Sequence, residues 1–396
     1  MSKLLRSYSG KNSLHLFSLN QIIPYFLFAL VLIFASCKNS QTEKSVQTDN
    51  NIEPKYAKGF NIDTSNKKIT INIFNPWQGA HEVVYKYSLV NKKNPDFNKV
   101  DNPIPYPVKR VICMSSSHVA FIDALGQSNT LVGLSGTKYV YNPNINKEID
   151  NGALVDVGYD QGLNYELITS LKPDVILCYG VSEESLSYLN KLKELGLHVM
   201  LIGDYLENNP LGKTEWIKVF GYLFGVPQKA DSIFNIIEQK YNSEKTIASK
   251  YQSGPTVFLN TPFRDVWYFP GNDNYFVKMI KDAGGRYLFS NLKGSQSYPI
   301  STEIAYKSGL NADVWINTGT AHSKADILKF DPRFATLAPF AKDKIYNNYK
   351  RMNKNGGNDF WESGTLNPHL ILHDLVTIFH NVDVQDSCLY YYSKLK

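Results

Sequence analysis

The sequence predicts an α/β protein of two Rossmann-like lobes with mostly parallel sheets, joined by a long backbone helix and preceded by an N-terminal β-hairpin extension. Three observations predict it. Short apolar runs alternate with helical patterns from about residue 110 onward, one long helical stretch divides that alternation, and the halves on either side echo one another. With 396 residues and 43% apolar content the chain is long enough for two cores rather than one.

Lys3, Arg6 and Lys11 precede an apolar run from Ile22 to Ala35. It is shorter than the roughly 20 residues of a bilayer-spanning helix and has the pattern of a secretory signal. The run ends in Phe34-Ala35-Ser36-Cys37, similar to the bacterial lipobox except at Phe34, where Leu is usual. Residues 1–36 therefore read as a lipoprotein signal peptide and Cys37 as the lipidated first residue of the mature chain. An ordinary signal peptide with an incidental cysteine is the alternative. Residues 37–58 hold almost nothing apolar and read as a flexible tether. The expected location is the cell envelope, facing the periplasm from a lipid anchor in one membrane or the other.

Residues 59–108 form the β extension, in which Ile69, Ile71, Ile73 and Val83, Tyr85, Tyr87 alternate on either side of a turn at Asn75-Pro76-Trp77-Gln78-Gly79. The N-lobe, 109–212, has strands at 111–114, 131–134, 175–179 and 199–202, with helices near 119–125, 165–171 and 183–195. Residues 213–252 bridge. After a break at Gly225-Val226-Pro227, Ala230, Ile233, Phe234, Ile237 and Tyr241 recur at helical spacing. About 25 residues of helix give roughly 37 Å, enough to reach both lobes. In the C-lobe, 253–396, strands at 257–260, 266–269, 314–317 and 344–347 alternate with helices that include 275–283 and 368–380. The echo pairs Asn164-Tyr165-Glu166 and Asp174-Val175 with Ser301-Thr302-Glu303 and Asp313-Val314: an acid early in a helix, then an Asp that opens a strand.

The net charge of +6 is scattered as single lysines, leaving no basic stripe to track nucleic acid. There is no G-x-G-x-x-G after a strand, no P-loop, no G-x-S-x-G and no H-E-x-x-H. Ser115-Ser116-Ser117-His118 reads as a helix cap rather than a catalytic dyad. His369 and His373 read as a helix-surface pair rather than a metal site. No catalytic residue, metal or cofactor is therefore expected. Cys113 and Cys178 fall in apolar runs and read as buried thiols; with Cys388 they make an odd number after Cys37.

In open parallel sheets, ligands bind beyond the carboxyl ends of the strands. Those loops carry Ser116, His118, Tyr159, Asp160, Tyr179, Asp204 and Tyr205 in the first lobe, and Arg264, Trp267, Tyr298, Thr318, Arg351 and Trp361 in the second. Rings wall a bulky ligand, while arginines hold anionic oxygens.

These motifs resemble the class III periplasmic substrate-binding proteins, the helical-backbone group that serves ABC importers of iron-siderophore, haem or cobalamin. Arg110-Val111-Ile112-Cys113-Met114-Ser115 with Ala124-Leu125-Gly126 is similar to that family's first strand and helix. Its best-matched motif is Gln161-Gly162-Leu163-Asn164-Tyr165-Glu166 followed by Leu171-Lys172-Pro173-Asp174, and Asp282-Ala283-Gly284-Gly285 and residues 375–380 fit its second lobe. The resemblance implies a monomer that captures a metal chelate in the interlobe cleft and delivers it, without catalysis, to an ABC permease and its ATPase. It also implies that Glu166 and Glu303 meet arginines of the permease, although the helix dipole alone favours acids at such positions. Cobalamin-binding relatives carry an aromatic where Asp160 stands, so the chelate stays open among ferric siderophore, haem and cobalamin. Two rivals remain: a secreted two-lobe enzyme acting on a chelate or macrocycle, and a surface scaffold lipoprotein whose cleft binds nothing.

Overall fold

The structure, a computed structural model, describes residues 51–159, 162–181, 187–382 and 388–396. The signal peptide, Cys37, most of the tether, Asp160 and Gln161 lie outside the described residues.

The extension supplies β2 (Phe60–Asp63), β3 (Ile69–Phe74), β4 (Val84–Val90) and β5 (Pro103–Pro105), and β1 (Asn51–Ile52) adds to its edge in the order β1 to β5. Residues 51–58, expected as flexible tether, are thus part of the fold, because β1 pairs with β2 and Glu215 and Glu207 accept the N–H groups of residues 55–58. The hairpin expected from the sequence is β3–β4, antiparallel from Ile69↔Leu89 to Phe74↔Val84, but it is the middle of a sheet rather than the whole. β2 is short, and β5 begins and ends in proline, so neither carries a strand pattern; a proline strand is tolerated because it lies at an edge. Phe60, Ile62, Ile71, Ile73 and Tyr87 are buried at a period of two.

The N-lobe follows as β6 (Val111–Cys113), α1 (Ser116–Ala124), β7 (Leu131–Leu134), α2 (Pro143–Asp150), β8 (Val155–Asp156), α3 (Tyr165–Ser170), β9 (Val175–Cys178), α4 (Ser187–Glu194) and β10 (Val199–Leu201). Its sheet has the order β10-β9-β6-β7-β8, every pairing parallel. β6, β7, β9 and β10 are buried at every position, as a sheet covered on both faces requires. The extension closes the β10 edge, where Leu201 N donates to Tyr87 Oη at 3.1 Å.

Three helices bridge: α5 (Pro210–Glu215), α6 (Ile217–Phe224) and α7 (Pro227–Ala248). α6 ends at Gly225 with φ 73°, a left-handed conformation glycine adopts without steric cost, and Pro227 opens α7. The 22 residues of α7 span roughly 33 Å. Lys229 Nζ, near its start, donates to Leu125 O of the N-lobe at 2.8 Å; Tyr241 Oη, further along, donates to Asp282 Oδ2 of the C-lobe at 2.9 Å. One helix thus holds both lobes.

The C-lobe contains β11 (Thr256–Leu259), β12 (Val266–Pro270), α8 (Tyr275–Asp282), β13 (Arg286–Tyr287), β14 (Ser297–Ser301), α9 (Thr302–Gly309), β15 (Val314–Ile316), α10 (Lys324–Phe330), α11 (Ala338–Ala341), β16 (Ile345–Asn347), α12 (Pro368–His380) and β17 (Ser393–Lys394). Its main sheet, β13-β11-β15-β16-β17, is parallel except at β17, and β12 pairs with β14 in a separate antiparallel ribbon. The architecture is the mixed α/β, two-lobe one that the sequence predicts.

The echo between the halves has a structural cause. Asp174 Oδ2 accepts from Lys109 N (2.9 Å) and Arg110 N (3.0 Å) at the entrance to β6, and Asp174 N donates to Arg110 O (2.7 Å). Asp313 repeats this against β11, its Oδ2 accepting from Thr256 N (2.7 Å) and its N–H donating to Thr256 O (3.0 Å). In each lobe one aspartate ties the start of its own strand to the neighbouring strand. Asp174→Ala leaves two backbone donors without their acceptor and lowers stability by about 1–3 kcal/mol in urea unfolding, with Asp313→Ala, half-exposed, at the lower end.

Candidate functional site

The loops after β6 and β10 and the start of α8 meet at α5. After β6, Ser115 caps α1, its side chain accepting from Ser117 N at 3.3 Å; Ser116 opens the helix half-buried. His118 is fully buried against Phe220, with Nε2 3.8 Å from Asp204 Oδ1, too far for a hydrogen bond. The serines are cap residues, as the sequence suggests. Asp204, on the loop after β10, is also buried; burial would raise its carboxyl, but His118 and the Lys213 ammonium outweigh it and hold it below the usual value. Lys213 Nζ donates to Asp204 O at 3.1 Å and lies 4.7 Å from the ring of Tyr275, the first residue of α8. Burial pulls the Lys213 ammonium down against the raising effect of Asp204 and Glu207. Lys213 and Tyr275 carry no sequence signal: a lysine on a short helix looks solvent-facing until its burial is seen.

Tyr205 Oη donates to Gly180 O, and its ring stands edge-on to Tyr179 at 6.4 Å; burial pushes its hydroxyl up to about 12. Tyr159, after β8, is exposed. On the C-lobe, Trp361 and Phe263 are exposed, and Arg264, held at φ 57°, lies 5.3 Å from the Phe263 ring with no ion pair among the described residues. Thr318 is fully buried after β15. Its Oγ1 and both ring nitrogens of His118 are among the few buried polar atoms without a protein partner in the described residues.

Two expected cleft residues, Trp267 and Tyr298, are placed elsewhere, and a third, Arg351, stands at the junction of the lobes with its charge already paired. Trp267 is core: it packs among Phe258, Phe269, Trp315 and Phe334, and its Nε1 donates to Leu259 O at 2.8 Å. Along β12 the inward positions are Trp267 and Phe269, so Tyr268 faces out. Tyr298 lies on β14 and closes its own loop, donating to Lys293 O at 2.7 Å. Arg351 is ion-paired to Asp359 at 2.5 Å and packed between the rings of Tyr141 and Tyr390, so its guanidinium is committed within the protein.

Glu166 and Glu303 are both exposed in the first turns of α3 and α9. They differ in company. Glu303 Oε2 lies 2.9 Å from Arg333 Nη1 and Oε1 3.4 Å from Lys307 Nζ, and Arg333 holds its carboxyl below the ordinary range; Glu166 makes no ion pair among the described residues.

Among the described residues no group of three or more His, Cys, Asp or Glu could hold a metal ion. His369 is buried rather than on the helix surface, and burial pushes it down to about 4, while His373 reaches Glu244 at 3.3 Å. No described helix is long and apolar enough to cross a membrane.

A family model described as "Periplasmic binding protein" matches residues 111–348, from β6 to just beyond β16. An uncharacterized lipoprotein of Methanocaldococcus jannaschii is 29% identical over 354 residues, covering 82% of this chain and 81% of that protein. An uncharacterized ABC transporter substrate-binding lipoprotein of Bacillus subtilis is 25% identical over 234 residues, covering 58% and 70%. A periplasmic haem-binding protein from Pseudomonas aeruginosa superposes with a TM-score of 0.54 at 20% identity, covering 73% of this chain and 99% of that one, which shows a shared fold.

Cys113 and Cys178 are buried, and burial pushes both thiols up, Cys178 to about 12. Maleimide at about pH 8 therefore leaves both unmodified in the native chain and labels both once urea unfolds it, as mass spectrometry of peptides will read.

Proposed function

The chain belongs to the periplasmic binding protein family, and from that premise we propose that it is the substrate-binding lipoprotein of an ABC importer, taking a metal chelate between its lobes. The observation that carries this reading is a set of rings. Tyr139 and Tyr159 in the N-lobe and Phe263 and Trp361 in the C-lobe are each at least half exposed, on loops that follow β7, β8, β11 and β16. Rings kept in water on both sides of a junction suit a ligand with broad flat or apolar faces. Arg264, without an ion pair among the described residues, is the group for an anionic oxygen of that ligand; this favours haem or an anionic ferric siderophore over cobalamin.

Capture needs no bond to be made or broken. Ligand bridging the rings shifts the population toward the closed form, which presents one acid per lobe to the permease. Glu166 is available as it stands, whereas Glu303 must exchange Arg333 for an arginine of the permease. Anchoring through Cys37 fits the lipoprotein names of the relatives.

Intrinsic fluorescence titrated with haem, cobalamin, a ferric catecholate and a ferric hydroxamate tests the reading. One of them quenches saturably and is recovered unchanged, and Trp361→Ala weakens that ligand by about tenfold or more, the range expected for loss of one aromatic contact. Absence of binding by all four sinks the chelate assignment, and recovery of altered ligand points to an enzyme. In reconstituted vesicles Glu166→Arg lowers transport with ligand affinity unchanged, because charge at the rim sets docking rather than capture; an equal fall in affinity contradicts the docking role.

A further inference from the structure

Beyond the bridging helices, the lobes grip one another at a second place. We propose that the C-lobe loop Arg351–Glu362 is a clasp that closes the molecule by seizing the N-lobe loop Tyr139–Asn142, with Glu362 as its hook.

The carboxylate of Glu362 accepts from two successive backbone groups of the other lobe, Oε2 from Tyr141 N at 2.7 Å and Oε1 from Asn142 N at 3.0 Å. Asn353 Nδ2 donates to Val140 O at 2.7 Å, and the Arg351 guanidinium lies 5.0 Å from the centroid of the Tyr141 ring. Gly357 approaches Tyr139 so closely that a Cβ would collide with the Tyr139 carbonyl. Four consecutive residues of one lobe are therefore held by residues of a single loop of the other. The loop is shaped in advance by its own bonds, Asp359 N to Arg351 O and Asn353 N to Gly357 O, so gripping costs little ordering.

The hook also makes the clasp respond to protons. Glu362 is buried beside a cavity of ≈190 Å³ that it shares with Asp123 of α1, Arg351, Asp359 and Tyr390. The other titratable groups on elements packed around it are Tyr141 across the junction, Tyr391 through Ser363, His118 of α1, Lys213 and Glu215 of α5, whose Thr214 bonds to Thr365 O, and His369, His373 and Asp374 of α12. Burial drives the Glu362 carboxyl up to about 7; the Tyr141 and Asn142 amides oppose this, and Asp359 and Asp123 add to it. Once released, the carboxyl returns to water and to its ordinary value of 4.5. A carboxyl whose value is higher when clasped takes up a proton on clasping. The clasp therefore tightens as pH falls from about 8 toward about 5 and loosens as pH rises. A difference of more than one unit is more than about tenfold in the closed-to-open ratio.

The test uses the full chain carrying Cys37→Ser and Cys388→Ser, with one spin label per lobe at Glu148→Cys and Lys329→Cys, and interlobe distances read by pulsed EPR. No ligand is added, so the outcome stands apart from the identity of any cargo. The short-distance population rises at least about tenfold relative to the long one between about pH 8 and about pH 5.5. Glu362→Gln, neutral and able to accept from only one of Tyr141 N and Asn142 N, gives a short-to-long ratio that no longer changes with pH; Gly357→Val, which cannot seat against Tyr139, gives the long distance at both values. Circular dichroism melts identify which variants are folded. A native chain with the same distances at both pH values, or a Glu362→Gln chain that still follows pH, overturns the proposal.

Discussion

One apolar core reaches every part of the described chain, beside a smaller N-lobe cluster around Ile112, Val157, Ile176 and Leu201, and the rest of the molecule depends on it. Phe60 and Ile71 of the extension, Val111 and Val175 of the N-lobe, Phe220 and Phe234 of the bridge, and Leu259 and Ile378 of the C-lobe belong to one continuous buried cluster. Packed interiors resist compression and transmit displacement. Lobes that share such a core cannot swing as if on a loose linker. With α7 bonded to Leu125 at one end and Asp282 toward the other, the motion this packing leaves is a small rotation about the bridge.

Directional order comes from buried carboxylates that collect backbone N–H groups. Glu215 accepts from Lys55, Tyr56 and Ala57, and Glu207 from Lys58, Gly59 and the Trp216 indole, so the start of the described chain is wrapped onto the bridge by two acids. Asp374 does the same for Tyr390, Tyr391 and Tyr392 at the other end of the chain, and burial raises it to about 6. A buried carboxylate is tolerable only when its lone pairs are filled. Each of these acids is filled by chain that would otherwise be loose, and each therefore fixes a path.

How legible this was depends on the range of the interaction. β6, β7, β9 and β10 announce themselves as short apolar runs because both their faces are covered, and α7 announces itself by the spacing of Ala230, Phe234, Ile237 and Tyr241. β5 does not, since proline hides its pairing. At the junction, the strand-end rule points to Tyr159, His118 and Asp204, but it misleads at Trp267 and Tyr298, because β12 and β14 pair antiparallel and outside the main sheet. Lys213, Asn353 and Glu362 were invisible for a different reason. Glu362 meets Asn142 across 220 positions of sequence, and no local pattern encodes a contact of that separation.

The two kinds of force divide the work of closure between them. Apolar packing is non-directional and sets the axis, since any small rotation that keeps α6, α7 and α12 in contact keeps most of the buried area. It does not choose an angle. That choice falls to polar contacts crossing the junction: Lys213 against Asp204 on one lobe and Tyr275 on the other, and Glu362 against Tyr141 and Asn142. Such contacts are lost over displacements of an ångström or so, so a modest rotation exchanges all of them at once while leaving the core intact. A ligand that adds a few contacts across the junction can then shift the molecule's population without remaking its interior.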